Sequence, residues 1–81
     1  MMDVMVNQRT CVDEGGNAHT FTYFLLQDDM EYGVGVHSDR GEAVRIPHIT
    51  PDRTRITQLL DLLCRLEVSP IHLRDVIDDW L

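Results

Sequence analysis

The alternation of apolar and polar positions divides the chain in two. Up to about residue 48 the apolar residues come in short runs bounded by turn formers, which reads as strands. Beyond residue 50 they recur every three or four positions, which reads as helices. Residues 2–12 are rich in Val, Met, Thr and Cys and predict a first strand. Asp13-Glu14-Gly15-Gly16-Asn17 is a turn. His19 to Gln27, with Phe21, Tyr23 and Phe24 among threonines, predicts a second strand. A turn at Asp28 to Glu31 leads to a third strand, Tyr32 to Ser38. Ser38-Asp39-Arg40-Gly41 fits a tight turn, and Glu42 to Ile46 a fourth strand. Pro47 is expected to end it, because proline offers no N–H to a ladder.

Thr50-Pro51-Asp52 predicts a helix start, with Thr50 as N-cap and Pro51 at the first helical position. Ile56, Leu59, Leu60, Leu63 and Leu66 follow at helical spacing. Together with Leu62 and Cys64 they span an arc of about 200°, more than a surface helix needs. This helix is expected to be buried on more than one side. Ser69 and Pro70 repeat the start signal, with Val68 and Leu73 placed for a hydrophobic staple. Leu73, Val76, Ile77, Trp80 and Leu81 form the second stripe.

The fold expected is therefore α+β: a four-stranded antiparallel meander followed by two helices packed on one face, ββββαα. Residues 1–81 make a single domain, with the sheet in 1–48 and the helices in 50–81. Phe24, Leu26, Val34, Val36, Val44 and Ile46 are expected on the core side. Phe21, Tyr23 and Leu25 then fall on the opposite face. That leaves more apolar surface than two helices on one side can cover, the signature of an interface.

The net charge is −7, from fourteen acids and seven arginines with no lysine. That balance disfavours phosphate backbones and anionic membranes, so neither nucleic acid nor membrane is expected as a partner. The would-be reading helix of a helix-turn-helix, Ile71 to Trp80, is itself acidic, which disfavours DNA binding further. The N-terminus lacks the pattern of a signal peptide, and two cysteines are too few for a disulfide framework. A reduced, cytoplasmic protein is the expectation.

Cys11, His19, His37, His48, Cys64 and His72 are six possible metal ligands, yet none forms a ligand pair in sequence. Cys11 and His19 fall opposite each other if the first loop runs from Asp13 to Asn17, with Cβ atoms about 5 Å apart. Two ligands do not make a site, so no metal, cofactor or catalytic residue is assigned. His37-Ser38-Asp39 has the residue types of a hydrolytic triad, but neighbours in a strand point to opposite faces. Gly33-Val34-Gly35 opens no helix and is no dinucleotide fingerprint; its glycines are expected to make room for an aromatic on a neighbouring strand. Asp75, Asp78 and Asp79 oppose the second helix's dipole, which fits a basic partner surface as well as a solvated face.

Thr50-Pro51-Asp52-Arg53, Leu59-Leu60-Asp61-Leu62-Leu63, Glu67-Val68-Ser69-Pro70-Ile71-His72-Leu73 and Asp75-Val76-Ile77-Asp78-Asp79, with the Tyr32-Gly33-Val34 strand, resemble a family of short uncharacterised proteins from Gram-positive anaerobic bacteria. The resemblance covers residues 21–81. It implies a small bacterial, cytoplasmic, stand-alone protein and carries over no site residue.

The function expected is a protein–protein interaction module, a homodimer or a regulatory or adaptor subunit, and not an enzyme. Phe21, Tyr23, Leu62 and Trp80 are its expected interface residues. The alternative is a small ligand-binding protein or enzyme with a pocket between sheet and helices near His37 or His48.

Overall fold

The structure, a computed structural model, describes residues 2–81. Four strands form one antiparallel sheet in sequence order: β1 (Met2–Val12), β2 (Ala18–Gln27), β3 (Tyr32–Ser38) and β4 (Ala43–Thr50). Helix α1 (Arg53–Arg65) follows, then a short 3-10 turn at Pro70–His72 and helix α2 (Leu73–Trp80). This is the ββββαα architecture that the two hydrophobic periods predict.

Val34, Val36, Val44 and Ile46 face the core as expected, but β2 presents the opposite face from the one its sequence suggests. The turn at Asp28–Glu31 closes on the pair Gln27↔Tyr32, so Leu25 lies opposite Val34 and Tyr23 opposite Val36. Residues directly opposite share a face, so Phe21, Tyr23 and Leu25 lie with Val34 and Val36 beneath the helices. Phe24 and Leu26 occupy the other face. A one-residue change of register inverts every side chain of a strand, and the closing pair of the hairpin decides it here.

Pro47 does not end β4. The strand runs on to Thr50, which pairs with Tyr32. Between the pairs Tyr32↔Thr50 and Val34↔Ile46 one residue of β3, Gly33, faces three of β4, and His48 takes φ 60°. This bulge is tolerated because β4 is an edge strand, where Pro47 need not donate to a neighbour. It also explains Gly33. A Cβ there would stand 2.3 Å from the Ile46 carbonyl oxygen and 2.5 Å from Pro47 Cα. The glycine thus makes room for backbone, not for an aromatic ring. At Gly35 the space is filled by Arg45 Cγ and Leu26 Cδ2. The Arg45 guanidinium then crosses the open face to Asp3 on β1, at 2.7 Å, and Leu26 is buried on that face.

Asp52, not Thr50, caps α1. Its carboxylate accepts from the N–H groups of Thr54 (2.9 Å) and Arg55 (3.3 Å). Thr50 belongs to β4 and turns the chain by accepting from the Asp52 N–H. At the far end Glu67 takes φ 52°, with Glu67 N–H bonded to the Cys64 carbonyl and Val68 N–H to the Leu63 carbonyl. This is a Schellman ending built without glycine. It drops Val68 into the core, where its carbonyl accepts from the buried Tyr23 hydroxyl at 2.9 Å. Ser69 opens the 3-10 turn but makes no side-chain capping bond, because the His72 N–H takes its carbonyl.

Ile56, Leu59, Leu60, Leu63, Val68, Leu73 and Ile77 complete the core over the sheet. Leu62 is half-buried beyond that contact, and Leu66, the last of the predicted stripe, is exposed.

Two substitutions test this account by urea unfolding. Gly33→Ala forces β4 backbone to move and is expected to cost about 2–4 kcal/mol. Tyr23→Phe leaves the Val68 carbonyl buried without its donor, and about 1–3 kcal/mol is expected.

Candidate functional site

The two hairpin ends nearest the helix linker bring Cys11, Asp13 and His19 together with Ser38, Arg40 and Glu42. In the first turn Asp13 Oδ1 accepts from the N–H groups of Gly15 and Asn17, both at 2.9 Å. Its other oxygen meets His19 Nε2 at 2.9 Å. The bond from His19, and then that from Asn17, hold the Asp13 carboxyl down at about 2. The histidine is thus committed to fixing the turn.

Cys11 lies directly opposite His19, as the loop length predicts. Its thiol donates to the His19 carbonyl (3.8 Å), not to the ring. Burial raises its pKa, and the nearby Glu67 carboxylate raises it further. Burial likewise raises that of Cys64. A thiol is a nucleophile or a metal ligand as its thiolate, so both cysteines are in their unreactive form near neutral pH.

Around this cluster Val12, Phe21, Ser38, Arg40, Ser69 and Ile71 line a cavity of about 380 Å³. Its wall is largely apolar, as ligand sites usually are. The Ser69 hydroxyl is buried there and has no hydrogen-bond partner, alone in this among the described side chains. His37 and His48 line no such space. His37 packs against Phe24 on the open face, ring centroids 4.5 Å apart, and His48 bonds to Asp28 at 3.0 Å on the exposed bulge. Among the described residues no three His, Cys, Asp or Glu side chains gather as a metal site.

The four residues expected at an interface separate into two pairs. Phe21 and Tyr23 lie in the core of the single chain and are closed to a partner. Leu62 and Trp80 come together from α1 and α2. With Leu66, Val76 and Asp79 they line a shallow groove of about 310 Å³, and the Arg55 guanidinium stands 4.6 Å from the centre of the Trp80 ring.

The longest run of exposed apolar side chains lies elsewhere, on β1, whose residues were not expected at an interface. Met2 is 60% exposed, Met5 61%, Val6 45% and Val12 67%. β1 is an edge strand of eleven residues, free of proline and lysine. Those absences, with valines and methionines at both parities, were visible in the sequence.

A model of the family of unknown function DUF6514 matches residues 2–81. The chain belongs to that family. The match includes β1, which the sequence resemblance left out, so the exposed strand is part of the DUF6514 fold. No curated protein and no solved structure matches. No helix is long and apolar enough to cross a membrane among the described residues.

The chemistry of Cys11 gives a direct test. Its alkylation by iodoacetamide should become fast only above the ordinary thiol range. Because the Glu67 carboxylate disfavours the thiolate, Glu67→Gln should move that rate profile to lower pH. An unchanged profile, with Cys64→Ala as background, would remove Glu67 from the account.

Proposed function

We propose that this DUF6514 protein is an interaction module whose working form is a homodimer joined through β1. The observation that carries this reading is the exposed β1 edge. An unpaired edge presents a row of free N–H and C=O groups to any matching strand, and folded proteins usually blunt such edges with charge, proline or a bulge. β1 has one irregularity, near Val6, and a single charge at each of Asp3 and Arg9.

The opposite edge supports a closed pair over a chain of copies. On β4, Pro47 and the bulge at residues 47–49 interrupt the ladder. A second copy therefore finds its mate on β1 and not on β4, and the contact is the same patch on both subunits. Antiparallel pairing of two β1 strands keeps both helix layers on one side of an eight-stranded sheet.

A second reading, a small ligand-binding protein, is favoured by the largely apolar cavity of about 380 Å³ between the hairpin ends and the helix linker.

Size exclusion with light scattering decides the first reading. The expected mass is twice the 9.4 kDa of the chain. Val4→Lys with Val6→Lys should give a monomer with an unchanged circular dichroism spectrum, since both side chains are exposed. A wild-type protein that stays monomeric at the highest concentration reached would overturn the proposal.

A further inference from the structure

We propose that the groove between α1 and α2 binds a basic amphipathic helix of a partner protein. The inference rests on the interaction reading above but uses a different surface from β1.

The groove supplies apolar contact along its length. Leu62 and Leu66 form the α1 wall and Val76 and Trp80 the α2 wall. Leu66 is 60% exposed, far more than the packing of α1 on the sheet requires. A helix that lays a stripe of leucines into such a groove is a recurrent mode of recognition, and it needs one apolar face.

The charge around the groove selects the other face. Asp75, Asp78 and Asp79 are exposed and make no ion pair within the described residues. Of the three only Asp79 lines the groove; Asp78, by its helical position, faces away from it. Two of these acids sit in the last turn of α2, where the helix dipole is negative and no basic residue is present. Their position works against the helix in the free protein. A cationic partner reverses that effect by placing positive charge at the same helix end. The chain's own Arg55 guanidinium already lies 4.6 Å from the centre of the Trp80 ring, so a partner's cation meets the Asp79 carboxylate and not that ring face. The occupant that satisfies floor and rim together is a helix with leucines on one side and Lys or Arg on the other. The chain's net charge of −7 steers such a partner from a distance.

Trp80 is the chain's one tryptophan, so its emission reports directly on the groove. The probe is a short amphipathic peptide of leucine and lysine, added to the full chain. The expected result is a blue shift of Trp80 emission that saturates and weakens as salt is raised. Asp79→Lys should weaken binding by about tenfold or more while raising the thermal midpoint, which shows that the variant folds. Leu66→Glu, at an exposed position, should weaken it similarly. Val4→Lys with Val6→Lys should leave peptide binding intact even where it abolishes dimerisation, so the two proposals fail separately. The inference is overturned by any of four outcomes: no shift with the peptide, equal binding of a scrambled peptide of the same composition, undiminished affinity in the aspartate variant, or a Trp80 shift that follows protein concentration alone and so marks a second copy in the groove.

Discussion

The hydrogen bond from the Tyr23 hydroxyl to the Val68 carbonyl joins the two halves of the molecule. Tyr23 stands in the middle of the sheet's covered face and is completely buried. Its hydroxyl must find a partner there, and Val68 supplies one at 2.9 Å. Burial, above all, keeps the phenol protonated, with its pKa far above the ordinary tyrosine value. Val68 reaches that position because Glu67 accepts a left-handed backbone at the end of α1. Where the linker is pinned, α2 must begin, and the groove beside Trp80 and the cavity beside Ser69 follow from it.

The two edges of the sheet are built on opposite principles. β4 crowds its backbone against Gly33, carries Pro47 and bends through His48. β1 runs for eleven residues with apolar side chains largely in water. Gly33 and the bulge form a single feature, since the glycine is what lets β4 approach closely enough to bend. An irregular edge on one side and an open edge on the other give the sheet a direction in which it can grow.

Much of this was legible in the sequence. The two periods of hydrophobicity mark all the strands and helices, and the length of the Asp13–Asn17 loop alone places Cys11 opposite His19. The sheet's covered face was legible too, had the alternation been read together with the Asp28–Glu31 turn: closing that turn on Gln27 and Tyr32 forces Leu25 against Val34. The reach of β4 past Pro47 was not, because it depends on β4 being an edge, which is a property of the assembled sheet. Nor was the cap of α1: Thr50 and Asp52 are both good caps, and only the pairing of Thr50 with Tyr32 withdraws it from the helix. Of the candidate surface residues, Leu62 and Trp80 are near each other because α2 lies beside α1, whereas Phe21 and Tyr23 look like interface aromatics only until the register assigns them to the covered face.

An 81-residue chain has little stability to spare, so the places where it carries an uncompensated cost are informative. The core carries almost none: its side chains are apolar, and its tyrosine is hydrogen-bonded. The costs lie outside it, in valines and methionines left in water along β1, in acids at the negative end of α2, and in the Ser69 hydroxyl without a partner. The first two are costs that contact with another molecule removes: strand pairing covers the β1 edge, and positive charge offsets the acids. A fold whose interior is complete and whose remaining costs lie at its surface is the physical basis of the interaction role proposed above.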